Sequence, residues 1–415
     1  TKPKPKVMKR KLERLFTDVE HFAEFGERTL IEHKQVCGQS VPFYVNEFWT
    51  SKQRAAHSLH EVSYRACFKP QLPRFFLERL TSEGDLVYDP FMGRGTTLIE
   101  SALLGRKVAG NDINPLSKIL CLPRLSPPSQ NEVAQRLDEI SLTATEESKL
   151  GEDQDLLAFY HPETLSQISA LRHYFISGET SGMLNDADRW IRMVATNRLT
   201  GHSPGFFSVY TMPPNQAVTA ERQLIINEKR NQQPVAKDVK AIILKKSKQL
   251  LSKLSINDQS LLQKSTPLLT TSQAESTDEI PSGTVKLVVT SPPFLDVVDY
   301  RTDNWLRCWF NGINSSELPI SQLKSEQLWV TKMTGVFKEL KRLLESDGVI
   351  AFEVGEVKKS KLMLEELVIQ AALDAGLSVH GVLINAQQFT KTANCWGVDN
   401  KSMGTNTNRI VIVSK

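Results

Sequence analysis

The chain has 415 residues, enough for two or three domains or for one large domain with an insertion. Its hydrophobic fraction of 40% and charged fraction of 24% are ordinary for a globular protein, and no apolar run approaches the 18 residues of a membrane span. The net charge of +4 excludes little, but basic residues cluster in 2–14 and in 222–248. Such a cluster is typical of a surface that binds a polyanion, or simply of a helix face exposed to solvent.

The beginning of the chain is basic but has no apolar segment, so it predicts no secretory signal. Because it opens with Thr1 rather than methionine, we expect that at least one residue has been lost there. The five cysteines are far apart, without a CxxC pair or a His/Cys cluster at metal spacing. This pattern predicts reduced thiols, no bound metal and a cytoplasmic location.

Residues 1–60 read as mixed helix and loop, a basic N-terminal extension. A sharper unit follows, with a helix from Arg74 to Leu80 and a short buried strand over Leu86–Tyr88. A glycine-containing loop leads into a helix over Leu98–Leu104, and a second strand covers Lys107–Gly110. Strand, glycine loop, helix and strand in this order open a parallel nucleotide-binding sheet.

Residues 117–262 carry several amphipathic helical segments and few strand signals. Strand character returns afterwards, alternating with two helical segments, at 267–271, 285–290, 348–354, 377–383 and 410–413. The last two of these strands form a closing pair. Alternating strands and helices on both sides of a helical stretch predict one α/β sheet interrupted by a largely helical inserted domain.

The loop after the first strand contains Gly93 and Gly95 in the sequence Asp-Pro-Phe-Met-Gly-Arg-Gly-Thr-Thr, residues 89–97. Glycines let the backbone approach a ligand, and the amides of the next helix favour a carboxylate or phosphate. The third glycine of the dinucleotide fingerprint is missing. Asp112 ends the second strand, where an acid can accept hydrogen bonds from ribose hydroxyls. A tight turn with an incidental acid is the alternative.

A second cluster, Thr290-Ser291-Pro292-Pro293-Phe294, follows the strand over 285–290. Successive prolines fix φ and remove N–H donors, so the turn presents carbonyl groups, one hydroxyl and an aromatic ring. These groups suit an exocyclic amine on a stacked base.

These two motifs together resemble the S-adenosylmethionine-dependent amino-methyltransferases of DNA, and the Ser-Pro-Pro-Phe form resembles the N4-cytosine branch. The segments 68–73, 304–310 and 348–352 are also similar to segments of that family. The resemblance covers about residues 65–130 and 265–415. It implies a Rossmann-like methyltransferase sheet, mostly parallel with a closing antiparallel strand, whose two halves are residues 61–119 and 263–415. Residues 120–262 would be the target-recognition domain.

The resemblance also implies roles for individual residues. The cofactor S-adenosyl-L-methionine would be bound by Phe68, Lys69, Asp89, Phe91, Gly93, Gly95, Thr96, Thr97, Asp112 and Ile113. Ser291, Pro292, Pro293 and Phe294 would hold a cytosine flipped out of double-stranded DNA. Its N4 amine would attack the sulfonium methyl in line, with proton loss afterwards to solvent and no covalent adduct, because no cysteine lies in a Pro-Cys motif.

Contact with DNA is expected mainly from the insert. Arg, Asn and Gln are suited to reading base edges, and Lys and Arg to neutralising phosphates. The predicted contacts are Arg198, His202, Asn215, Gln216, Arg222, Lys229, Arg230, Tyr300 and Arg301. Alternatively, the segment of the insert packs as a lid without contacting DNA. Tyr300 and Arg301 could equally cap the next helix.

Four readings of the function stay open at this point. Cytosine N4 methylation ranks first, because a serine stands where adenine enzymes more often have an acid. Methylation of adenine N6, or of an RNA amine, is the nearest alternative. A nucleotide-dependent oxidoreductase of the NAD type and a catalytically inactive DNA-binding module are less favoured. A nucleoid-associated protein with a cognate restriction endonuclease would follow from the first reading.

Overall fold

The computed structural model describes residues 6–50, 56–64, 67–149, 153–212, 217–293, 300–319, 323, 325–355, 363–387 and 406–415. Side chains are described for these ranges except for residues 6–10, 300, 301, 387 and 406.

The centre of the molecule is a mixed sheet with nine strands among the described residues, in the order β1-β2-β8-β9-β7-β6-β3-β4-β5. The strands are β1 (Leu30–Val36), β2 (Gln39–Asn46), β3 (Leu86–Asp89), β4 (Lys107–Asn111), β5 (Leu268–Thr270), β6 (Val285–Thr290), β7 (Leu344–Gly355), β8 (Ser378–Gln387) and β9 (Asn406–Ser414). β3 to β7 run parallel to one another, and β9 is antiparallel to both β7 and β8. The predicted strands are confirmed, including the closing antiparallel pair.

Residues 30–46 differ from the sequence prediction of helix and loop. They form the hairpin β1–β2, and β2 pairs in parallel with β8, so the hairpin extends the main sheet. The hairpin was missed because β1, with the sequence Leu-Ile-Glu-His-Lys-Gln-Val, is an edge strand whose side chains are mostly exposed. Polar side chains suit an edge strand but weaken the apolar alternation that identifies a strand from sequence.

Both faces of the sheet are covered by helices. α1 (Lys6–Glu20) and α2 (Gln71–Leu80) pack on one face, and α14 (Glu326–Leu343) and α15 (Leu364–Asp374) pack on the other. All six residues of β6 are buried because this strand lies at the centre of the sheet. A continuous apolar run is the expected pattern for such a strand, and this is why β6 could be predicted residue by residue.

The described residues between β4 and β5 form only helices and short turns, apart from one isolated bridge between Gly201 and Tyr210. Together with α3 (Thr96–Leu103), the helices enclose a separate core, into which Leu306 and Phe310 also pack from α13. The helices are α4 (Pro115–Leu125), α5 (Gln130–Glu139), α6 (Glu146–Lys149), α7 (Pro162–Thr180), α8 (Asp186–Arg198), α9 (Ala220–Arg230), α10 (Val239–Leu251) and α11 (Ile256–Lys264), followed after β6 by α12 (Tyr300–Asp303) and α13 (Trp305–Phe310).

Among the described helices, none is both long enough and apolar enough to cross a bilayer. The division of the chain at residues 61, 120 and 263 stays a prediction.

Candidate active site

The carboxyl ends of β3, β4, β5 and β6 lie at the same edge of the sheet and border an open cleft. In a parallel sheet this edge is where ligands bind. The cleft brings together both sequence motifs, although about 200 residues separate them in the chain. Its lining consists of Tyr64, Cys67, Phe68, Asp89, Pro90, Phe91, Met92, Gly93, Thr96, Asn111, Asp112, Ile113, Asn114, Ser272, Gln273, Ala274, Ser291, Pro292, Pro293, Pro319 and Lys332.

Asp89 is a buried carboxylate at the end of β3. Its Oδ1 accepts a hydrogen bond of 2.6 Å from the Thr290 hydroxyl and one of 3.0 Å from the Phe91 amide. Burial nevertheless raises the pKa of Asp89 to about 7. Thr290 immediately precedes the Ser-Pro-Pro turn, so this hydrogen bond joins the two motifs directly.

The glycine loop follows Asp89, and each of its two glycines has a positive φ, 49° at Gly93 and 80° at Gly95. A Cβ on Gly95 would lie 2.5 Å from the Cys121 sulfur, and one on Gly93 would touch the Tyr64 ring at 3.4 Å. Gly95 is therefore required for packing beneath the loop, whereas Gly93 keeps the space open toward the cleft. Gly95 also precedes α3, which directs the helix amides to this place.

Asp112 lies just beyond β4, next to the glycine loop. Its carboxylate accepts hydrogen bonds of 3.0 Å from the Gly93 and Asn114 amides. Burial raises its pKa, while these amides act in the opposite direction. Carboxylate oxygens can each accept more than one hydrogen bond, so Asp112 can still accept from a ligand hydroxyl.

The loop is supported from below by Arg124 of α4, which is fully buried. Its guanidinium donates to the carbonyls of Arg94 and, at 2.9 Å, of Leu59. Burial lowers the pKa of Arg124 to about 10. No sequence pattern predicts this support, because Arg124 lies in a helix with an ordinary amphipathic pattern.

The Ser-Pro-Pro turn forms the opposite wall. The Trp329 indole donates to the Pro293 carbonyl at 3.2 Å, which fixes the turn against α14. The Ser291 hydroxyl is buried and, within the described part of the chain, forms no hydrogen bond of ordinary geometry. Phe294, the fourth residue predicted to hold the base, lies outside the described residues.

Glu353 on β7 is a buried acid beside this turn. Burial raises its pKa, although the nearby Ser291 hydroxyl and the Asn408 amide favour its charged form. The Asn408 Nδ2 donates to Glu353 Oε1 at 3.2 Å. Glu353 could not be identified from the sequence because it lies inside an apolar strand, and only the pairing of Thr290 with Phe352 brings it next to Ser291.

Asn111 is a second residue that the sequence analysis did not single out. Its side-chain oxygen accepts from the Ser272 amide and from two hydroxyls, and its Nδ2 donates to the Ser272 carbonyl at 2.9 Å. The segment after β5 is thereby held as the third side of the cleft. At its outer end, Lys332 lies 2.7 Å from Glu275 and 3.3 Å from Gln273.

Three of the predicted cofactor residues do not line the cleft. Lys69 is exposed, and the Cβ position of Gly95 faces Cys121 beneath the loop. Thr97 is fully buried and donates its hydroxyl to the Val289 carbonyl at 3.0 Å, so it joins α3 to β6 instead of facing the cleft. The other seven, Phe68, Asp89, Phe91, Gly93, Thr96, Asp112 and Ile113, all lie on the cleft.

The residues predicted to contact DNA are dispersed. Arg222, Lys229 and Arg230 are exposed on α9, and His202 is exposed in the loop after α8. Arg198 is partly buried against Phe206. Asn215 and Gln216 lie outside the described residues, and Tyr300 and Arg301 are described only as backbone of α12.

No group of three or more His, Cys, Asp or Glu side chains suited to a metal occurs in the described ranges.

The chain matches known DNA methyltransferases in sequence. Residues 9–118 match the family model described as DNA methylase. The type II methyltransferase M.MjaII of Methanocaldococcus jannaschii is 27% identical over 34% of this chain and 28% of its own length. M.MvaI of Kocuria varians is 31% identical over 25% of this chain and 23% of its own length. M.BsoBI of Geobacillus stearothermophilus is 23% identical over 75% of this chain and 64% of its own length. The chain thus spans less than two thirds of each of these relatives.

Solved structures give a weaker likeness. The rRNA methyltransferase aviRa of Streptomyces viridochromogenes is 13% identical, with a TM-score of 0.32 over 87% of this chain and 90% of that one. A TehB-like methyltransferase of Corynebacterium glutamicum is 8% identical, with a TM-score of 0.30 over 84% of this chain and 89% of that one. Scores this low carry no argument about function.

A mostly parallel sheet in which β9 runs antiparallel between β7 and β8, with a glycine loop after β3 and an acid after β4, defines a Rossmann-like methyltransferase fold. The family match over residues 9–118 and the relatives support a likeness to the DNA amino-methyltransferases, without distinguishing the N4 from the N6 branch.

The cofactor of this family is S-adenosyl-L-methionine, and the cleft fits it. Gly93 leaves room where a Cβ would touch Tyr64, and α3 presents amides that suit a carboxylate. Asp89 and Asp112 offer negative charge and acceptors for an ammonium group and for ribose hydroxyls, while Phe91 and Ile113 offer apolar surface for an adenine.

Proposed function

We propose that this protein transfers a methyl group from S-adenosyl-L-methionine to the exocyclic N4 amine of a cytosine in double-stranded DNA. The observation that supports the proposal best is that the glycine loop and the Ser-Pro-Pro turn line a single cleft. The bound cofactor supplies an electrophilic methyl group. Everything else in the reaction depends on how the chain holds the amine against it.

Ser291 and the Pro292 carbonyl are the acceptors for the hydrogens of the amine. The amine is a weak nucleophile because its lone pair is delocalised into the ring, and hydrogen bonds from both hydrogens localise that pair. Trp329 donates to the Pro293 carbonyl, so the role of backbone acceptor is assigned to the Pro292 carbonyl. Positioning and hydrogen bonding therefore make the main contribution to catalysis.

Glu353 is the final acceptor of the proton that the amine loses. When the nitrogen has gained the methyl carbon and the carbon–sulfur bond has broken, the nitrogen carries a positive charge and one hydrogen too many. Ser291 accepts that hydrogen and passes its own proton to Glu353, whose pKa is raised by burial. This replaces the direct loss to solvent expected from the sequence, because the Ser291 hydroxyl is buried.

Flipping of the target base and a cognate restriction endonuclease belong to the same proposal. A base inside a duplex cannot reach a cleft at the edge of the sheet, so it has to leave the helix. A location at the nucleoid would follow from a DNA substrate.

Mass spectrometry of nucleosides from treated DNA tests the proposal. Incubation with labelled cofactor should give N4-methylcytosine as the labelled product. Labelled N6-methyladenine alone would overturn the cytosine assignment and retain the enzyme class. No labelled base, together with tight binding of NAD, would overturn the class itself.

A further inference from the structure

The segment of residues 57–64, called the strap below, lies against the glycine loop. It contains one short helical turn and is otherwise without regular secondary structure. Its last residue, Tyr64, lines the cleft, and a Cβ on Gly93 would lie 3.4 Å from the Tyr64 ring. The strap therefore brings an aromatic ring to the glycine loop, at the side of the cleft that suits the cofactor.

Three backbone carbonyls of the strap each accept a hydrogen bond from a different arginine. The pairs are Arg124 with Leu59 at 2.9 Å, Arg94 with Val62 at 3.0 Å and Arg307 with Ser63 at 2.9 Å. Hydrogen bonds from a charged donor are stronger than those between neutral groups. Because the three arginines belong to α4, the glycine loop and α13, side chains from three separate elements determine the path of the strap.

Arg307 differs from the other two arginines in its place in the chain. Arg94 and Arg124 belong to the half of the chain that carries the glycine loop, and Arg94 also donates to the Thr96 hydroxyl at 3.1 Å. Arg307 lies in α13, which follows the Ser-Pro-Pro turn. Its hydrogen bond to Ser63 thus joins the half of the chain that carries this turn to the glycine-loop side of the cleft.

Contacts between α13 and the helical region fix the position of Arg307. The indole of Trp305 donates to the Ala217 carbonyl at 3.0 Å. Arg172 of α7 donates to the Trp309 carbonyl at 2.7 Å. Arg307 lies between these two anchored residues and is 9% exposed, so its guanidinium is held in place by packing.

The hydrogen bond from Arg307 acts next to the ring. Tyr64 follows Ser63 directly, so the position of the Ser63 carbonyl determines where the Tyr64 ring lies. The Gly93 amide, beneath that ring, donates to the Asp112 carboxylate at 3.0 Å. A cofactor whose ribose is bound by Asp112 would therefore meet the ring, and aromatic rings contribute a large buried area to a binding site.

We propose that Arg307 is a positioning residue for S-adenosyl-L-methionine, which holds the strap so that Tyr64 lies against Gly93 and contacts the bound cofactor. The cofactor site is completed by a helix from the half of the chain that carries the Ser-Pro-Pro turn. This role concerns the binding of the cofactor and is independent of the base that receives the methyl group.

Calorimetric titration with S-adenosyl-L-methionine tests this role. Arg307→Met removes the hydrogen-bond donors and keeps a long unbranched side chain. We expect about tenfold weaker cofactor binding, the effect of one lost hydrogen bond to a charged group. Arg307→Lys retains the charge and a donor, and it should recover most of the affinity.

Arg106→Met is the matched control. Arg106 is a partly buried arginine that donates to the Thr81 carbonyl at 3.1 Å. It directly precedes β4, so it lies at the opposite edge of the sheet from the cleft. This variant loses a similar hydrogen bond and should keep the cofactor affinity of the wild type. An equal loss of affinity in Arg106→Met and Arg307→Met would overturn the role.

A double-mutant cycle with Tyr64→Ala separates positioning from a general loss of stability. Tyr64→Ala alone should weaken cofactor binding at least as much as Arg307→Met. If Arg307 acts through the ring, Arg307→Met should weaken binding no further in a chain that already carries Tyr64→Ala. Additive losses in the double variant, or full affinity in Arg307→Met, would contradict the role of Arg307.

Hydrogen exchange measured without cofactor gives an independent readout. The amides of the strap should exchange faster in Arg307→Met than in wild type, and at the wild-type rate in Arg106→Met. Unchanged exchange of the strap in Arg307→Met would show that Arg307 does not hold it. These experiments use no DNA, so their outcome does not depend on the proposed cytosine substrate. A wild type that binds no S-adenosyl-L-methionine would overturn this role together with the cofactor.

Discussion

The two walls of the cleft are built in different ways. The wall proposed to hold the cofactor, called the cofactor wall, consists of residues 89–97 with Asp112 and is assembled from one strand–loop–helix–strand unit. The hydrogen bonds that shape its loop join residues close in the chain, and two further bonds, at Asp89 and Thr97, tie it to β6. The base wall, residues 291–293 with Trp329 and Glu353, is assembled from three separate elements, β6, α14 and β7. The cofactor wall is therefore a local structure, whereas the base wall exists only when the whole sheet has formed.

The strongest test of this comparison is Gly95→Ala. Its Cβ would lie 2.5 Å from the Cys121 sulfur at a φ of 80°, so the loop has to move. We expect a loss of about 2–4 kcal/mol in unfolding free energy, from overpacking plus the unfavourable φ, and at least a hundredfold weaker cofactor binding. Chemical denaturation and calorimetry measure these quantities.

Gly84→Ala is the matched control, because Gly84 has a φ of 83° and no atom within 4 Å of its Cβ position. The Gly84→Ala variant should lose only about 1 kcal/mol of unfolding free energy and keep the cofactor affinity of the wild type. Equal losses in the two variants would mean that packing under the loop is not what requires Gly95.

Substitutions in the two walls should separate binding from turnover. Ser291→Ala should lower kcat by about a hundredfold with little change in cofactor affinity, since it removes a hydrogen bond to the reacting amine. Asp112→Ala should do the reverse, because it removes acceptors from the cofactor wall. Lys69→Ala, at an exposed position away from the cleft, should affect neither. Loss of cofactor affinity in both wall variants would contradict the division.

The pH dependence follows from Asp89, whose pKa in the folded protein is about 7. Because this value is above that of the unfolded chain, its contribution to stability is complete below about pH 4 and is lost as the pH rises through 7. Binding of an ammonium group needs the charged form, so cofactor affinity should rise across the same range, by about tenfold between pH 6 and 8.

Asp89→Asn should remove this rise in affinity and flatten the stability profile between pH 4 and 7. Calorimetric titrations and thermal melts at each pH measure both. A rise in affinity that persists in Asp89→Asn would assign the titration to another group.

The smallest effect is expected on α9, far from either wall. Lys229→Gln removes one exposed charge and should weaken DNA binding by only a few-fold, with the salt slope lower in magnitude by about 0.9 if the residue meets a phosphate. Fluorescence anisotropy with labelled DNA at several salt concentrations checks this. An unchanged slope would remove Lys229 from the interface.

The accuracy of the sequence predictions follows the same division. The strand, glycine loop and helix of the cofactor wall could be predicted from the sequence because a glycine loop between an apolar strand and a helix is a local pattern. Even there, Thr97 was assigned to the cofactor, and the structure turns it toward Val289. Nothing local distinguishes two adjacent threonines at the start of a helix, whereas packing against β6 buries one of them.

The sequence by itself determined the alternation of strands and helices, the buried central strand β6 and the two motifs. These features depend on local conformational preference and on the period of apolar residues. Both are properties of short segments and do not require contacts with distant parts of the chain. Only the tertiary structure decided that the hairpin of residues 30–46 joins the sheet and that Glu353 lies beside Ser291. Each of these depends on contacts between distant parts of the chain, and a contact of that kind leaves no periodic signal in the sequence.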